Sequence, residues 1–269
     1  MQIDQDIKTY LDEEGIVERT TEEISEELER ENPGFTKVLD KVTEDYERRE
    51  ISSSQYYDIL CKIHNGMPLY DHFKGRSRGG VEWILQQVKD LGIRENANVL
   101  DVCCGTGLEA VFLAGVANQG YVQGRDSSQC MIDNAKRRAE RRGLRNVNFS
   151  VGDRDELDYK SQFDFLLCLH SLTEGDLFYG PDAEIGMHYV LGDRFERFRK
   201  ALRKGGKVGI SVPIFDPNVM GEDYVDYEKK RIFSSLGHTG FDPVDVSFFQ
   251  FTNIDDVCLN YLFASATAD

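Results

Sequence analysis

The sequence predicts an α/β fold: an open, mainly parallel sheet with helices on both faces, a terminal antiparallel hairpin, and a helical extension at the N-terminus. Three observations carry that expectation. Val99 to Ala110 reads as a short buried strand, a glycine turn and a helix start. Acids close three consecutive strand patterns, at Asp101, Asp126 and Asp153. Short apolar runs then alternate with helical spacing along the rest of the chain.

Taken in order, the first 75 residues hold four amphipathic helix patterns. Asp4 to Glu14 carries Ile7, Tyr10 and Leu11 and stops at Gly15. Thr20-Thr21-Glu22-Glu23 starts a second, with Ile24 and Leu28 on one face, which ends before Pro33-Gly34. Phe35, Leu39, Val42 and Tyr46 recur at helical spacing, and Ser52-Ser53-Ser54 caps a fourth through Tyr56, Tyr57, Leu60 and Ile63. This unit, residues 1–75, reads either as a lid over an acceptor site or as a packing flap or dimer arm that could join copies of the chain. Residues 76–269 form the main domain, which opens with a helix around Trp83.

Val99–Val102 is the first strand of that domain, and Val111–Ala114 continue the helix after the glycines. Gly120–Asp126 is the second strand, followed by a helix capped by Ser127-Ser128 with Met131, Ile132 and Ala135 inward. Val147–Val151 is the third strand, Phe163–Leu167 the fourth and Lys207–Val212 the fifth. A long loop from Ser171 to about Gly192 separates the fourth strand from a helix over Arg194–Arg203. Another loop opens at Phe215–Met220, and Val244–Phe251 with Leu259–Ser265 makes the terminal hairpin.

A strand ending in an acid, then a glycine loop feeding a helix N-terminus, cradles nucleoside cofactors. Glycines let backbone approach the ligand, and free helix N–H groups attract its anionic end. Asp101 sits where a carboxylate can hold an ammonium group. Asp126 stands where a ribose needs an acceptor, and Asp153 where an adenine amine does.

Asp101-x-Cys-Cys-Gly-Thr-Gly, Gly124-x-Asp126-x-Ser128-x-x-Met131 and Gly152-Asp153, with Phe163–Leu167 and Leu202-Arg-Lys-Gly-Gly-Lys207, resemble the class I S-adenosylmethionine-dependent methyltransferases over roughly residues 76 to 265. The resemblance implies a Rossmann-like seven-stranded sheet. It implies S-adenosylmethionine as cofactor, held by Asp101, Cys103, Gly105, Thr106, Gly107 and Asp126. Ser127, Met131, Gly152, Asp153, Arg154 and Leu169 complete the expected set. Cys103 departs from the usual small first loop residue, and Arg125 from an apolar residue before the ribose acid.

Tyr70–Arg78 is similar to the glycine N-methyltransferase branch, which implies Arg76 as the partner of the methionine carboxylate. The glycine clamp of that branch is missing: the two regions read Cys168-Leu169-His170-Ser171 and Ser211-Val212-Pro213-Ile214. The expected activity is methyl transfer to a small-molecule oxygen, nitrogen or carbon. Rivals are a nicotinamide-dependent oxidoreductase, against which Asp101 beside a pyrophosphate is electrostatically wrong, and a non-catalytic cofactor-binding scaffold. As general base, His170 follows the fourth strand directly and His188 lies behind it.

The chain has 269 residues and a net charge of −16, and its first fifty residues hold 17 acids against 7 bases. Such acidity argues against a nucleic-acid partner. No apolar run approaches the ~20 residues of a membrane helix, so a cytoplasmic location is expected. Cysteines 61, 103, 104, 130, 168 and 258 form no CxxC pair and read as reduced packing residues, with no metal site. The basic run Lys136–Arg142 reads as a solvated helix face.

Overall fold

A computed structural model describes residues 6–48, 50–64, 67–171, 183–214, 223–253, 255 and 258–269, without the side chains of 53–54, 63–64, 67 and 183–191. The N-terminal helices start where short polar side chains cap them. In α1 (Ile7–Glu13) Asp6 accepts from the Thr9 N–H, and in α2 (Thr21–Glu31) Thr20 and Glu23 form a reciprocal capping box. Then come α3 (Phe35–Glu47), α4 (Ser53–Leu60), capped by Ser52 and Gln55, and a two-residue bridge of β1 (Ile63–His64) with β2 (Met67–Pro68). Next stand α5 (Leu69–Lys74) and, after a 3₁₀ turn, α6 (Arg78–Asp90).

The sheet follows as β3 (Asn98–Val102), α7 (Leu108–Val116), β4 (Tyr121–Asp126), α8 (Gln129–Arg141), β5 (Val147–Val151) and β6 (Phe163–Leu169). It continues with α9 (Ala183–Ala201), β7 (Leu202–Ile214), α10 (Tyr224–His238), β8 (Phe241–Thr252) and β9 (Cys258–Ala268). Strand order is β5-β4-β3-β6-β7-β9-β8, parallel through β7 and antiparallel in the hairpin. Alternation splits the apolar side chains between two faces. Val99 and Leu167 pack with Leu85, Phe112 and Tyr10; Leu100, Leu166 and Ile210 pack with Phe195, Phe198 and Leu236.

The first 75 residues do not pack as one piece. Ile7, Tyr10, Leu11 and Ile16 belong to the main core, where the Tyr10 hydroxyl donates to the Leu108 carbonyl at 2.5 Å. Ile24, Leu28, Leu60 and Leu69 form a smaller cluster that closes over Met131.

Four expectations change. The helix expected from Arg194 begins at Ala183, so the connection after β6 is shorter than the span to Gly192; residues 172–182 lie outside the described residues. β7 runs five residues earlier than expected, because Leu202 already pairs with Phe163 across a bulge. α10 fills a stretch that carried no helix assignment, with Ile232 and Leu236 buried. Cys61 and Cys130 are joined in a disulfide with Cα atoms 6.0 Å apart, while Cys103, Cys104, Cys168 and Cys258 are free thiols. Among the described residues no helix is long and apolar enough to cross a membrane.

Candidate active site

The carboxyl ends of β3, β4, β5 and β6 open on one cleft, where the strand order reverses between β3 and β6. Open α/β sheets take their ligands at such points. The cleft measures about 220 Å³, below the ~300–1,000 Å³ of ordinary small-molecule sites, and Tyr57 and Tyr70 reach into it from the N-terminal helices. Of the expected residues it gathers Cys103, Gly105, Asp126, Ser127, Met131, Asp153, Arg154, Leu169 and His170.

The loop after β3 turns through left-handed backbone at Cys103 (φ 60°), Gly105 (φ 52°) and Gly107 (φ 75°). A Cβ on Gly107 would stand 2.7 Å from the Ala135 Cβ, so glycine is what lets α7 start against α8. The Gly105 and Ser128 amides each donate to the Asp126 carboxylate at 2.9 Å. Burial raises the Asp126 carboxyl, and these donors oppose it. Each oxygen keeps a lone pair for a further donor.

Arg125 has a packing reason. Its guanidinium lies against Gly152, where a Cβ would meet it at 2.3 Å, and it donates to the Glu156 carbonyl at 3.2 Å. Gly152 thereby lets the chain after β5 cross close to β4, while Asp153 accepts the Asp155 amide at 2.8 Å. Arg154 donates to the Ser171 carbonyl and ties this turn to the end of β6.

Beneath the loop lies a buried group of charges. Asp101 is 1% exposed, and its Oδ2 has no hydrogen-bond partner among the described residues. Burial first, and Glu109 second, push its carboxyl well above the usual range. Lys74 pairs with Glu109 at 2.7 Å, both buried. Burial alone would raise Glu109, but Lys74 and then His170 bring it below its ordinary value.

His170, at φ 59°, is held by its own amide, which donates to the Ser211 hydroxyl at 2.9 Å. Its ring meets Tyr261 edge-on, with centroids 5.6 Å apart, and Nε2 has no partner among the described residues. Burial lowers its pKa to about 4; Glu109 pulls it up and Lys74 pushes it down. It is therefore neutral at neutral pH. Left-handed non-glycine residues at the tips of two central strands fit a site where backbone strain is held by its surroundings. Cys103 meets Cys168 thiol to thiol, which draws Cys168 down to about 7 against its burial and pushes Cys103 up.

Several expected residues fall elsewhere. Arg76 does not line the cleft; it donates to the Thr21 hydroxyl at 3.2 Å and lies 5.1 Å over the Phe73 ring. Lys74, two residues earlier, is the cation that reaches the buried charges. The Thr106 hydroxyl donates to Asp71 at 2.7 Å rather than facing the cleft. His188 falls within α9, and its side chain lies outside the described residues.

Nor is the run Lys136–Arg142 a solvated face throughout. Arg138 is 2% exposed and bonds Glu14 (2.7 Å), Asp71 (2.6 Å) and the Thr106 carbonyl (2.6 Å). Arg142 bonds Glu14 at 2.5 Å and covers the Tyr10 ring. The acidic N-terminus is the anion this run binds. Lys74, Glu109, Asp71 and Arg138 went unnoticed because their partners are 32 to 124 residues away. Only the single-turn spacing of Asp71 and Lys74 hinted at them. Among the described residues no group of three His, Cys, Asp or Glu is placed to hold a metal ion.

Residues 99–179 match the family described as a methyltransferase domain. A demethylmenaquinone methyltransferase of Staphylococcus aureus (strain MRSA252) is 35% identical over 86 residues, which are 31% of this chain and 35% of that protein. The chain thus matches about a third of the length of its curated relatives. Among solved structures, phosphoethanolamine N-methyltransferase 2 of Haemonchus contortus, in complex with S-adenosyl-L-methionine, superposes with a TM-score of 0.52 at 19% identity. That match covers 71% of this chain and 53% of the other. A SAM-dependent methyltransferase from Methanosarcina mazei gives 0.51 at 16% identity, over 67% and 96% of the two chains. At these identities the structures speak for the fold. Residues 99–179 thus carry the methyltransferase-domain match, and the sheet as a whole has the fold of these S-adenosylmethionine-dependent methyltransferases.

Proposed function

We propose that the protein transfers a methyl group from S-adenosylmethionine to a small-molecule acceptor enclosed between the cleft and the N-terminal helices. One observation carries the reading. Asp101 and Glu109 are buried together, Lys74 pairs with Glu109, and one Asp101 oxygen is left without a donor among the described residues. A buried carboxylate in that condition costs several kcal/mol unless a cation meets it. The ammonium of the cofactor's methionine end is a cation of the right kind. Asp126 would take the ribose hydroxyls and Asp153 the adenine amine, with Gly105 allowing close approach.

When bound, the cofactor supplies a methyl already activated on a sulfonium. The chain's own work is alignment and exclusion of water. Tyr57 and Tyr70 line the cleft from the N-terminal helices, and Met131 and Leu169 give it apolar walls. His170 is neutral and its buried Nε2 has no partner among the described residues, so it can take a proton at that atom. With a pKa near 4 it is a weak base. It suits an acceptor that is itself acidic, or one that methylation renders acidic.

The test is ligand-dependent melting. S-adenosylhomocysteine at ~100 times its Kd should stabilise by ~2.7 kcal/mol, a rise of roughly 2–4 °C per kcal/mol for a chain of this class. NAD should not move the transition, since Asp101 and Asp126 repel a pyrophosphate. A shift with NAD and none with S-adenosylhomocysteine would overturn the proposal.

A further inference from the structure

A second concavity lies at the opposite end of the sheet. It has a volume of about 410 Å³ and is walled by residues 157–161, the end of α9, the start of β7 and the end of β9. The seven residues of β6 separate it from His170, on the order of 20 Å at ~3.3 Å per residue.

Its charge is the reverse of the chain's. Against a net −16, five cations line this basin, Lys160, Arg199, Lys200, Arg203 and Lys204. The acidic side chains among them are Asp158 and Asp269. Arg199 Nε is buried and has no partner among the described residues. Gly240, at φ 85°, leaves room for that side chain, since a Cβ there would lie 3.1 Å from Arg199 Cδ. Lys200 pairs with Glu196 at 3.2 Å and Arg203 with Asp164 at 3.0 Å. The cations of both pairs are about half exposed, so these contacts exchange readily. Leu157 and Leu202 make an apolar floor, with Tyr159 set edge-on against Phe163.

We propose that this basin is a binding site for a small phosphate-rich anion, separate from the methyl-transfer cleft and independent of its function. A buried guanidinium N–H without an acceptor wants an anionic oxygen, and arginine's fork fits phosphate. Five cations in one concavity match more than one phosphate group. Size follows from range. Charges farther than ~8 Å are screened at physiological salt, so a small ligand meets the local cations, whereas a nucleic acid or an anionic membrane must also face the acidic remainder.

Calorimetric titration of the full chain with inorganic pyrophosphate at physiological salt tests this. The expected result is saturable one-to-one binding that weakens as salt rises. Arg199→Gln should weaken it at least ~10-fold, as loss of a charge-assisted hydrogen bond does. Arg137→Gln, on an exposed part of α8 outside the basin, should leave it unchanged. Should Arg199→Gln fail to fold, Lys160→Gln/Lys204→Gln changes only exposed positions and reads the same loss. Melting with S-adenosylhomocysteine should be the same in every basin variant, which separates this site from the cleft. Absence of saturable binding to the folded wild type, equal affinity in the basin variants, or capture by phosphatidylserine vesicles without pyrophosphate binding would each overturn the proposal.

Discussion

Replacing Arg138 by methionine removes a cation shared by the end of α1, α5 and the glycine loop. The guanidinium bonds Glu14 at 2.7 Å, Asp71 at 2.6 Å and the Thr106 carbonyl at 2.6 Å. Glu14 would keep Arg142 at 2.5 Å, but Asp71, which has no exposed surface, would retain the Thr106 hydroxyl as its donor. Breaking a buried pair by removing one partner costs ~3–5 kcal/mol. With Glu14 still partnered, the low end applies, about 3 kcal/mol, or a fall in Tm of roughly 6–12 °C. Denaturant unfolding of Arg138→Met, Asp71→Asn and the double variant gives the coupling, expected at ~1–3 kcal/mol. Acid behaviour offers a second reading. Burial would raise the Glu14 carboxyl, yet Arg138 and Arg142 hold it below its ordinary 4.5. Its contribution is therefore present above that value and lost as pH falls through the lowered one, and Arg138→Met should flatten this limb. A loss under ~1 kcal/mol in Arg138→Met, or strict additivity in the double variant, would refute the reasoning.

Two further outcomes are expected. Opening the Cys61–Cys130 bond, by reductant or by Cys61→Ser/Cys130→Ser, releases a 69-residue separation, for which the chain-entropy relation gives about 4 kcal/mol. Hydrogen exchange should rise in α4 and α5 while the β3 and β6 amides stay protected; an unchanged unfolding midpoint would show that the bond does not restrain the unfolded chain as that relation requires. His170→Ala and His170→Asn should lower transfer, measured with labelled cofactor and a metabolite extract, by about 10²–10⁴ without changing the S-adenosylhomocysteine shift. Because burial holds its pKa near 4, the wild-type rate should show no break near 6.5. Near-normal turnover in both variants would make His170 structural.

The sheet was legible because its signals are local. Asp101, Asp126 and Asp153 each close a short apolar run, and the glycines that follow Asp101 leave few readings of the turn. Caps were equally plain at Thr20 and Ser52, where the bonding atoms are three residues apart. The charge network beneath the loop was hidden for the opposite reason. Helical spacing from Met131 and Ala135 puts Arg138 on the inward face, but its charge argues for solvent, and the partner that settles it, Glu14, is 124 residues away. Arg76 and Lys74 stand on the same short segment, and only the turn of α5 decides which one reaches Glu109. α10 was missed because Gly237, Ser234 and Ser235 weaken its helical signal, while Ile232 and Leu236 find their purpose only against β8 and β9. The basic basin was invisible for want of contiguity, its cations being split between residue 160 and residues 199–204.

The docking of α1 into the main core has a consequence for synthesis. A seven-residue helix cannot hold itself together in water. Its partners, Leu108 for Tyr10 and Arg138 for Glu14, are translated 98 and 124 residues later. At ~5–20 residues per second, the start of the chain waits on the order of 6–25 seconds outside the ribosome before its binding groove exists. Throughout that interval Ile7, Tyr10, Leu11 and Ile16 are exposed to whatever apolar surface is at hand. The domain therefore closes on its own N-terminus late.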